Sequence, residues 1–281
     1  MSTEVYFFTI GINIKEALPI MFGMSNIALR KILLILACVA IIIGCASIEK
    51  GYLSNEVLPD SVALLSPPPA AGLPDLAIDE KVSRKNLDLR DTPRWELARE
   101  DANLNFPKAA GTFSCALNAP ITEQDTPHIY KLLRLIKTDA GNSTKRAKEK
   151  YQRPRPFLVN KKPICTPCDE EFLKNNGSYP SGHAAIGWAW ALVLAEIAPE
   201  KADAIRYRGR VFGESRIICN VHWYSDVING HKMGAAVVKQ LHDDPMFRAD
   251  VEAAKHELAA VRAKGLKPQR DCAWEASAMI Q

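Results

Sequence analysis

The sequence predicts an all-α fold, a single helical bundle, and three observations support this. Nearly every apolar run beyond residue 75 has helical spacing, no long alternating pattern typical of a strand occurs, and no internal repeat is present. With 281 residues, 47% hydrophobic and 24% charged, the chain has the composition of a globular protein with a sizeable core. Disordered, collagen-like and coiled-coil proteins are therefore excluded.

The N-terminal segment, residues 1–44, is predicted to be an export signal. Arg30 and Lys31 precede an uncharged apolar run at 32–43, which is shorter than a membrane span and typical of a secretory signal. Residues 1–23 lie upstream of Met24, and we interpret them as an artefact of start-site assignment. The bulk of the protein is expected outside the cytoplasm, in the periplasm.

The apolar run ends in Gly44-Cys45-Ala46-Ser47, which resembles a bacterial lipobox with Cys45 as the lipidated residue. Ordinary cleavage after a small residue and an uncleaved anchor remain alternatives. A lipid anchor at Cys45 would hold the exported protein at a membrane.

A Pro-containing segment, residues 45–75, follows the signal and includes Ser66-Pro67-Pro68-Pro69. Such a stretch is stiff and extended, and it is either a tether or an arm laid on the domain. Residues 76–281 are predicted to form a single helical domain.

Helix start and stop signals divide this domain. Thr126-Pro127 is predicted to open one helix, and Pro154 to end another at 145–151. Asp244-Pro245 is predicted to open a last amphipathic helix that ends near Gly265. The helix at 182–198 carries one charge, Glu196, and is expected to be buried. Further helices are predicted at 200–213 and 222–242.

Five cysteines remain beyond residue 45: Cys115, Cys165, Cys168, Cys219 and Cys272. Because five is odd, at most two disulfides form and one thiol stays free, and the pairing is left open. Export makes disulfides chemically accessible. A zinc site at Cys165 and Cys168 would need a second ligand pair of similar spacing, which the sequence lacks.

Charge and hydropathy exclude two function classes. Lys and Arg number 36 against 32 Asp and Glu, and a net charge of +4 is too small for a nucleic-acid-binding protein of this size. Only one apolar run approaches membrane length, so a multi-span membrane protein is also excluded.

An anion site is predicted at the start of the buried helix, at Pro180-Ser181-Gly182-His183. Ser181 occupies the N-cap position, and the first turn of a helix presents unpaired N–H groups at the positive end of the dipole. Gly182 would let an oxyanion approach the backbone closely.

Three cations in two other motifs would contact the same anion. Lys148-x6-Arg155-Pro156 supplies two of them, and Ser215-Arg216 supplies the third. Arginine binds phosphate bidentately and lysine acts as a point charge. Three cations and a helix terminus suit a multiply charged anion, which favours phosphate over carboxylate.

A nucleophilic imidazole is predicted in the third motif, Ser215-Arg216-x5-His222-x3-Asp226. His222 and Asp226 are four residues apart, so on a helix they would share one face. A carboxylate that accepts from one imidazole nitrogen leaves the other free to attack. His183 would then be the general acid, and we expect a bell-shaped pH profile with an acidic optimum.

A zinc site built from His183, His222 and Asp226 is the alternative interpretation. The three flanking cations argue against it, because they would repel a divalent ion. We therefore expect no metal and no cofactor.

The three motifs together resemble the signature of the type-2 phosphatidic acid phosphatase and vanadium haloperoxidase superfamily. Within it, the chain is similar to the class A bacterial non-specific acid phosphatases, on stretches such as 58–61, 113–117, 176–179 and 213–226. The resemblance covers roughly residues 50 to 242. Ala184 and Tyr224 depart from the residues common in that class, which are Thr and Gln.

The resemblance implies a metal-independent, periplasmic phosphatase acting on small phosphate monoesters of broad range, dimeric or larger, and inhibited by vanadate. Carried over by position, His222 is the nucleophile that forms a phosphohistidine, Asp226 orients it and His183 is the acid. The implied phosphate-binding residues are Lys148, Arg155, Ser181, Gly182 and Arg216.

Three other functions are weaker alternatives. A vanadium haloperoxidase would hold vanadate in the same pocket, but a chain of this length and the class A similarity oppose it. Lipid phosphatases of the superfamily carry several membrane spans, and this chain has at most one. A non-enzymatic lipoprotein would have no need for a complete set of catalytic positions.

Overall fold

A computed structural model describes residues 50–280. Helices are the regular structure of this part of the chain, and no strand occurs between residues 50 and 280, which confirms the all-α prediction. In chain order the α-helices are α1 (Ser61–Leu64), α2 (Pro74–Leu87), α3 (Pro93–Asp101), α4 (Ser114–Leu117), α5 (Pro127–Ser143), α6 (Lys145–Tyr151), α7 (Pro156–Asn160), α8 (Glu170–Lys174), α9 (Gly182–Ile197), α10 (Ala202–Ile218), α11 (Tyr224–Leu241), α12 (Pro245–Ala263) and α13 (Cys272–Met279).

Helix α9 lies at the centre of the bundle. It packs against α5, α10 and α11, and apolar residues occur all around it, as predicted for a buried helix. Trp190 is fully buried, and its indole N–H donates to the Leu133 carbonyl of α5 at 2.8 Å. The N-terminus of α9, which carries the predicted anion site, is therefore held on a rigid core element.

Several predicted helix boundaries are confirmed. Helix α5 begins after Thr126, α6 covers the predicted 145–151, and the Asp244 carboxylate caps α12 by accepting from the Phe247 N–H at 2.8 Å. The last helix was predicted wrongly, because α13 follows α12.

Helix α10 extends to Ile218, past the predicted end at Gly213. Gly213 serves close packing here: a Cβ at this position would lie 2.5 Å from Nε2 of His231 on α11. Helix α11 begins at Tyr224, so residue 222 lies before the helix. Both errors concern the segment that contains the third motif.

The described part of the Pro-containing segment lies on the helices. The Tyr52 N–H donates to Asp139 Oδ2 at 2.9 Å, and Ser61 Oγ accepts from the Ala147 N–H at 3.0 Å. The Tyr179 hydroxyl donates to the Ser66 carbonyl at 2.6 Å. Residues 50–66 thus contact both α5 and the region of the predicted site, as an arm rather than a free tether.

The predicted signal at residues 1–44 and the lipidated Cys45 lie outside the described residues, and the domain boundary at residue 76 stays a prediction. Within residues 50–280, none of the helices combines the length and the apolar composition that a bilayer span requires.

Two disulfides and one free thiol occur among residues 50–280, as the cysteine count predicted. Cys115 on α4 pairs with Cys272 on α13, and Cys165 pairs with Cys219 at the end of α10. Cys168 is free and exposed. Both bridges join segments far apart in sequence, which stabilises the fold by restricting the unfolded chain.

Candidate active site

The three predicted motifs meet at one end of the bundle, and main-chain hydrogen bonds join the second motif to the third and link residues within the third. The Ser181 N–H, before α9, donates to the Asp226 carbonyl at 2.9 Å. The His222 N–H donates to the Arg216 carbonyl at 3.2 Å. A Cβ at Gly230 would lie 2.5 Å from the Ser181 carbonyl oxygen, so glycine permits α11 to approach the start of α9 this closely.

His222 and Asp226 are in contact, but they do not share one face of a helix as predicted. His222 precedes the N-cap Trp223, and Asp226 is the third residue of α11. The Asp226 carboxylate turns back over the helix N-terminus, where Oδ2 accepts from the Trp223 N–H at 2.9 Å and lies 3.3 Å from His222 Nδ1. A capping interaction therefore forms the pair.

The partners of the His222 ring determine its tautomer. Nδ1 faces the Asp226 carboxylate, which can only accept, and Nε2 lies 3.2 Å from Arg155 Nη1, which can only donate. The proton is thus assigned to Nδ1 and the lone pair to Nε2. Burial and the nearby Arg155 and Lys148 cations hold the His222 pKa well below its usual value, so the ring stays neutral in mild acid.

Main-chain carbonyls position two of the three cations. Lys148 Nζ donates to the Gly177 carbonyl at 2.8 Å, and Arg155 donates to the carbonyls of Leu173, Asn176 and Val221 at 2.9–3.0 Å. Burial lowers the Lys148 pKa to about 7 and the Arg155 pKa to about 10. Neutral carbonyls leave the positive charge of Arg155 uncompensated, and a bound anion would raise both pKa values.

Arg216, the third cation, is 2% exposed. Its Nε and Nη1 have no hydrogen-bond partner among residues 50–280, although a buried guanidinium normally has one for each nitrogen. Burial, followed by Arg155, lowers its pKa to about 10, so it remains charged. Unpaired donors of this kind in a ring of cations indicate a site for oxyanions.

The N-terminus of α9 completes the candidate anion site. Ser181 is the N-cap, as predicted, and its buried Oγ accepts from the Ala184 N–H at 3.2 Å. The first-turn N–H groups of Gly182 and His183 have no partner within the helix and lie at its positive end. These donors add to the field of Arg216 and Arg155.

His183 lies at the same site with its tautomer also determined. Its Nε2 is 3.0 Å from the Ala102 carbonyl, which can only accept, so Nε2 carries a proton and Nδ1 is left for chemistry. Burial and then Arg216 hold the His183 pKa well below its usual value. We expected this imidazole to stay protonated in mild acid, but the lowered pKa favours its neutral form. A bound dianion would offset the charge of the cations and so raise the His183 pKa.

A cavity of about 460 Å³ opens above His183 and Arg216. Its wall mixes polar and apolar side chains, and Phe172 of α8, at the rim, is 69% exposed. His222 is not part of the lining and is only 3% exposed. The other lining residues are Arg99, Ala102, Asn103, Leu104, Asn105, Lys108, Thr166, Cys168, Asp169 and Leu173.

Ser215, although part of the third motif, directs its hydroxyl to α3 and not to the three cations. Its Oγ donates to Asp101 Oδ2 at 2.7 Å and accepts from Arg94 Nη1 at 3.0 Å. Asp101 also pairs with Arg208 of α10. This buried network fastens α10 to α3 and thereby fixes the position of Arg216.

Arg153 and Asp79 are buried beside Asp226, and sequence reasoning missed both. Arg153 Nη1 lies 2.6 Å from Asp226 Oδ1, and Arg153 Nη2 lies 2.7 Å from Asp79 Oδ2. The repeated Arg-Pro in Arg153-Pro154-Arg155-Pro156 could have drawn attention to Arg153. No local pattern marks Asp79.

A metal site from His183, His222 and Asp226 does not fit this geometry. A zinc ion on His222 Nε2 would meet the Arg155 guanidinium, and Nδ1 faces Asp226. Among residues 50–280, no three His, Cys, Asp or Glu side chains lie together as metal ligands would.

Comparison with known proteins agrees with this arrangement. Residues 133–246 match the PAP2 superfamily. The chain is 46% identical over 212 residues to a non-specific acid phosphatase of Providencia stuartii, with 75% of this chain and 86% of the relative covered. It is 39% identical to an acid phosphatase of Zymomonas mobilis over 209 residues, covering 74% and 79%. A non-specific acid phosphatase of Salmonella typhimurium is 39% identical over 206 residues, covering 73% and 82%.

The region that matches the superfamily, residues 133–246, contains all three motifs. The chain belongs to the class A acid phosphatases of the PAP2 superfamily.

Proposed function

We propose that this acid phosphatase is exported and hydrolyses phosphate monoesters of broad range through a phosphohistidine on His222, with His183 as general acid. The observation that carries the proposal is the polarity of the His222 surroundings. A carboxylate holds the proton on Nδ1, and a guanidinium faces the lone pair on Nε2. The unprotonated nitrogen thus points into the group of cations.

The phosphoryl group of the substrate would occupy this group of cations. Arg216 would use its unpartnered Nε and Nη1 as donors, and Arg155 and Lys148 would add charge. Ser181 positions the start of α9, so that the Gly182 N–H reaches a phosphoryl oxygen. Displacement of the Arg155 contact by phosphate would free Nε2 of His222.

In the first half-reaction, the Nε2 lone pair attacks phosphorus and the P–O bond to the alcohol breaks. The electron pair of that bond goes to the alcohol oxygen, which takes a proton from Nδ1 of His183. The phosphorylated imidazole carries a positive charge, which the Asp226 carboxylate stabilises across Nδ1–H. The alcohol then leaves through the cavity above His183.

In the second half-reaction, water enters the position that the alcohol left. His183, now neutral at Nδ1, accepts a proton from the water as its oxygen bonds to phosphorus. The P–N bond breaks and its electron pair returns to Nε2. Inorganic phosphate leaves, and both histidines regain their starting states.

Breadth of substrate and export are supported by separate features. The cavity is open and chemically mixed, which imposes little selection on the alcohol. The two disulfides suit an oxidising compartment such as the periplasm, consistent with a signal at residues 1–44 and a lipid anchor at Cys45.

A substrate panel on the purified protein tests the proposal. We expect hydrolysis of p-nitrophenyl phosphate, glycerol phosphate and a nucleoside monophosphate with kcat/KM values within about 100-fold of one another. EDTA should leave the rates unchanged and vanadate should inhibit. Turnover of a single substrate would contradict broad range, and loss on chelation with recovery on zinc would contradict the metal-free mechanism.

A further inference from the structure

Two buried charges behind the nucleophile have no part in the chemistry described so far. Asp79, on α2, is fully buried, and Arg153, between α6 and α7, is 7% exposed. Neither lines the cavity above His183. Taking charges out of water is costly, so a buried pair needs a compensating role or very good hydrogen bonding.

The Asp79 carboxylate is fully occupied. Oδ1 accepts from the Ser225 N–H at 2.7 Å, and Oδ2 accepts from Ser225 Oγ at 2.6 Å and from Arg153 Nη2 at 2.7 Å. Ser225 is the residue before Asp226 in the first turn of α11. Asp79 therefore fixes both the start of α11 and the Arg153 guanidinium.

Arg153 reaches Asp226 from the opposite side to His222. Its Nη1 donates to Asp226 Oδ1 at 2.6 Å and to Ser225 Oγ at 2.8 Å, and its guanidinium lies 5.4 Å from the centre of the Trp223 ring. The Asp226 oxygens are thus divided: Oδ1 binds Arg153, and Oδ2 serves the Trp223 N–H and His222.

We propose that Arg153 and Asp79 are a positioning pair, in which Arg153 holds the Asp226 carboxylate with Oδ2 aimed at His222 and Asp79 holds Arg153 in place. The inference rests on the proposed role of Asp226 as the orienter of His222. Neither residue touches the substrate, and both act through Asp226.

Electrostatics supports this division of roles. Burial raises the Asp226 pKa, and Arg153 is the strongest influence that lowers it. The titratable and charged groups that face Asp226 from the surrounding elements are Asp79, Lys148, Arg153, Arg155, Tyr179 and His222. Of these, Arg153 alone places a guanidinium on the Asp226 carboxylate, with Nη1 2.6 Å from Oδ1.

The two members of the pair should act differently on the pH profile. The acidic limb reports protonation of the coupled His222–Asp226 pair. Loss of the Arg153 cation increases the proton affinity of that pair, so the limb moves to higher pH. Loss of the Asp79 anion removes a negative charge but also frees Arg153 from its place beside Asp226, and because these two effects on the proton affinity oppose each other, the limb moves less.

The test measures kcat and KM for p-nitrophenyl phosphate across the acidic range in Arg153→Gln, Arg153→Lys and Asp79→Asn. We expect Arg153→Gln to lower kcat by roughly 10- to 100-fold with little change in KM. Its acidic limb should move up by about one pH unit, whereas Asp79→Asn should lower kcat with a smaller movement of the limb. Arg153→Lys should recover part of kcat and restore the limb.

Arg146→Gln is the matched control, because Arg146 is an exposed arginine of α6 paired with Asp60 away from the site. Thermal unfolding shows whether Arg153→Gln folds; the near-isosteric Asp79→Asn and the charge-conserving Arg153→Lys test the inference if it does not. An acidic limb that stays in place in a folded Arg153→Gln, or wild-type kcat in a folded Asp79→Asn, overturns it. Absence of turnover in the wild-type protein would instead contradict the proposed function.

Discussion

The two histidines of the site lie in different surroundings. His222 is 3% exposed, and a carboxylate and a guanidinium determine the state of both its ring nitrogens. His183 has one nitrogen bonded to a carbonyl, and its ring lies under a cavity of about 460 Å³. In the proposed mechanism, the side that would meet phosphorus is closed and pre-organised, whereas the side that would meet the alcohol is open. An enzyme built this way selects the phosphoryl group strictly and the rest of the substrate loosely.

Substitution of His222, on the closed side, should have the largest effect on turnover. We expect His222→Ala to lower turnover of p-nitrophenyl phosphate by about 10⁴-fold or more, because no other group supplies the attacking lone pair. His242→Ala is the matched control, since His242 is half-exposed and pairs with Glu196 on the surface. Turnover within tenfold of wild type would remove His222 as the nucleophile.

Asp226→Asn should have the second-largest effect, a loss of roughly 10²- to 10⁴-fold in kcat. An amide can donate to Nδ1, which would move the proton to Nε2 and abolish the lone pair that attacks. The exposed Asp243→Asn is the control for a general effect of the amide. A variant that folds and retains wild-type kcat would show that the orientation of His222 does not depend on this carboxylate.

On the open side, the pKa of His183 should rise when an anion binds. Burial and then Arg216 keep the His183 pKa well below its usual value, which favours the neutral ring. Vanadate would neutralise the cations and raise this pKa by more than about one unit. Imidazole ¹⁵N chemical shifts, followed with and without vanadate, measure the change. A His183 ring that remains neutral near pH 5 with vanadate bound would rule it out as the proton donor.

The smallest effect is expected at the rim of the cavity. Phe172→Ala should leave kcat/KM for glycerol phosphate within about twofold and lower it roughly 2- to 10-fold for an aromatic monoester, because only the latter can stack on the ring. Tyr207→Ala, an exposed aromatic elsewhere, serves as the control. Equal losses for both substrates would mean that Phe172 has a structural role.

Local sequence signals predicted much of the fold. Thr126-Pro127, Asp244-Pro245 and the apolar run at 182–198 are short-range patterns, and each corresponds to a helix in the structure. The helix predicted at 200–213 was too short, since Gly213 lies inside α10, where it permits close packing against His231 of another helix. Packing between elements leaves no mark in the local pattern.

The residues of the site were likewise predicted where a local pattern marks them and missed where only tertiary contacts join them. The motifs contain the residues that the structure brings together at the candidate site. The contact between His222 and Asp226, however, forms by capping, which the spacing alone could not distinguish from a shared helix face. Asp79 and Arg153 were missed because their contacts with Ser225 and Asp226 join distant segments. Likewise, the cysteine count predicted two bridges, while their pairing depends on the tertiary fold.

Trapping the covalent intermediate tests the central claim most directly. The purified protein would be mixed with p-nitrophenyl phosphate, quenched within milliseconds in alkali, where phosphohistidine is stable, and digested for peptide mass spectrometry. Phosphate on Nε2 of His222, absent from His222→Ala, is the result we expect. A burst of p-nitrophenol with phosphate on any other residue, or a turning-over enzyme that never carries phosphate at His222, would contradict the account.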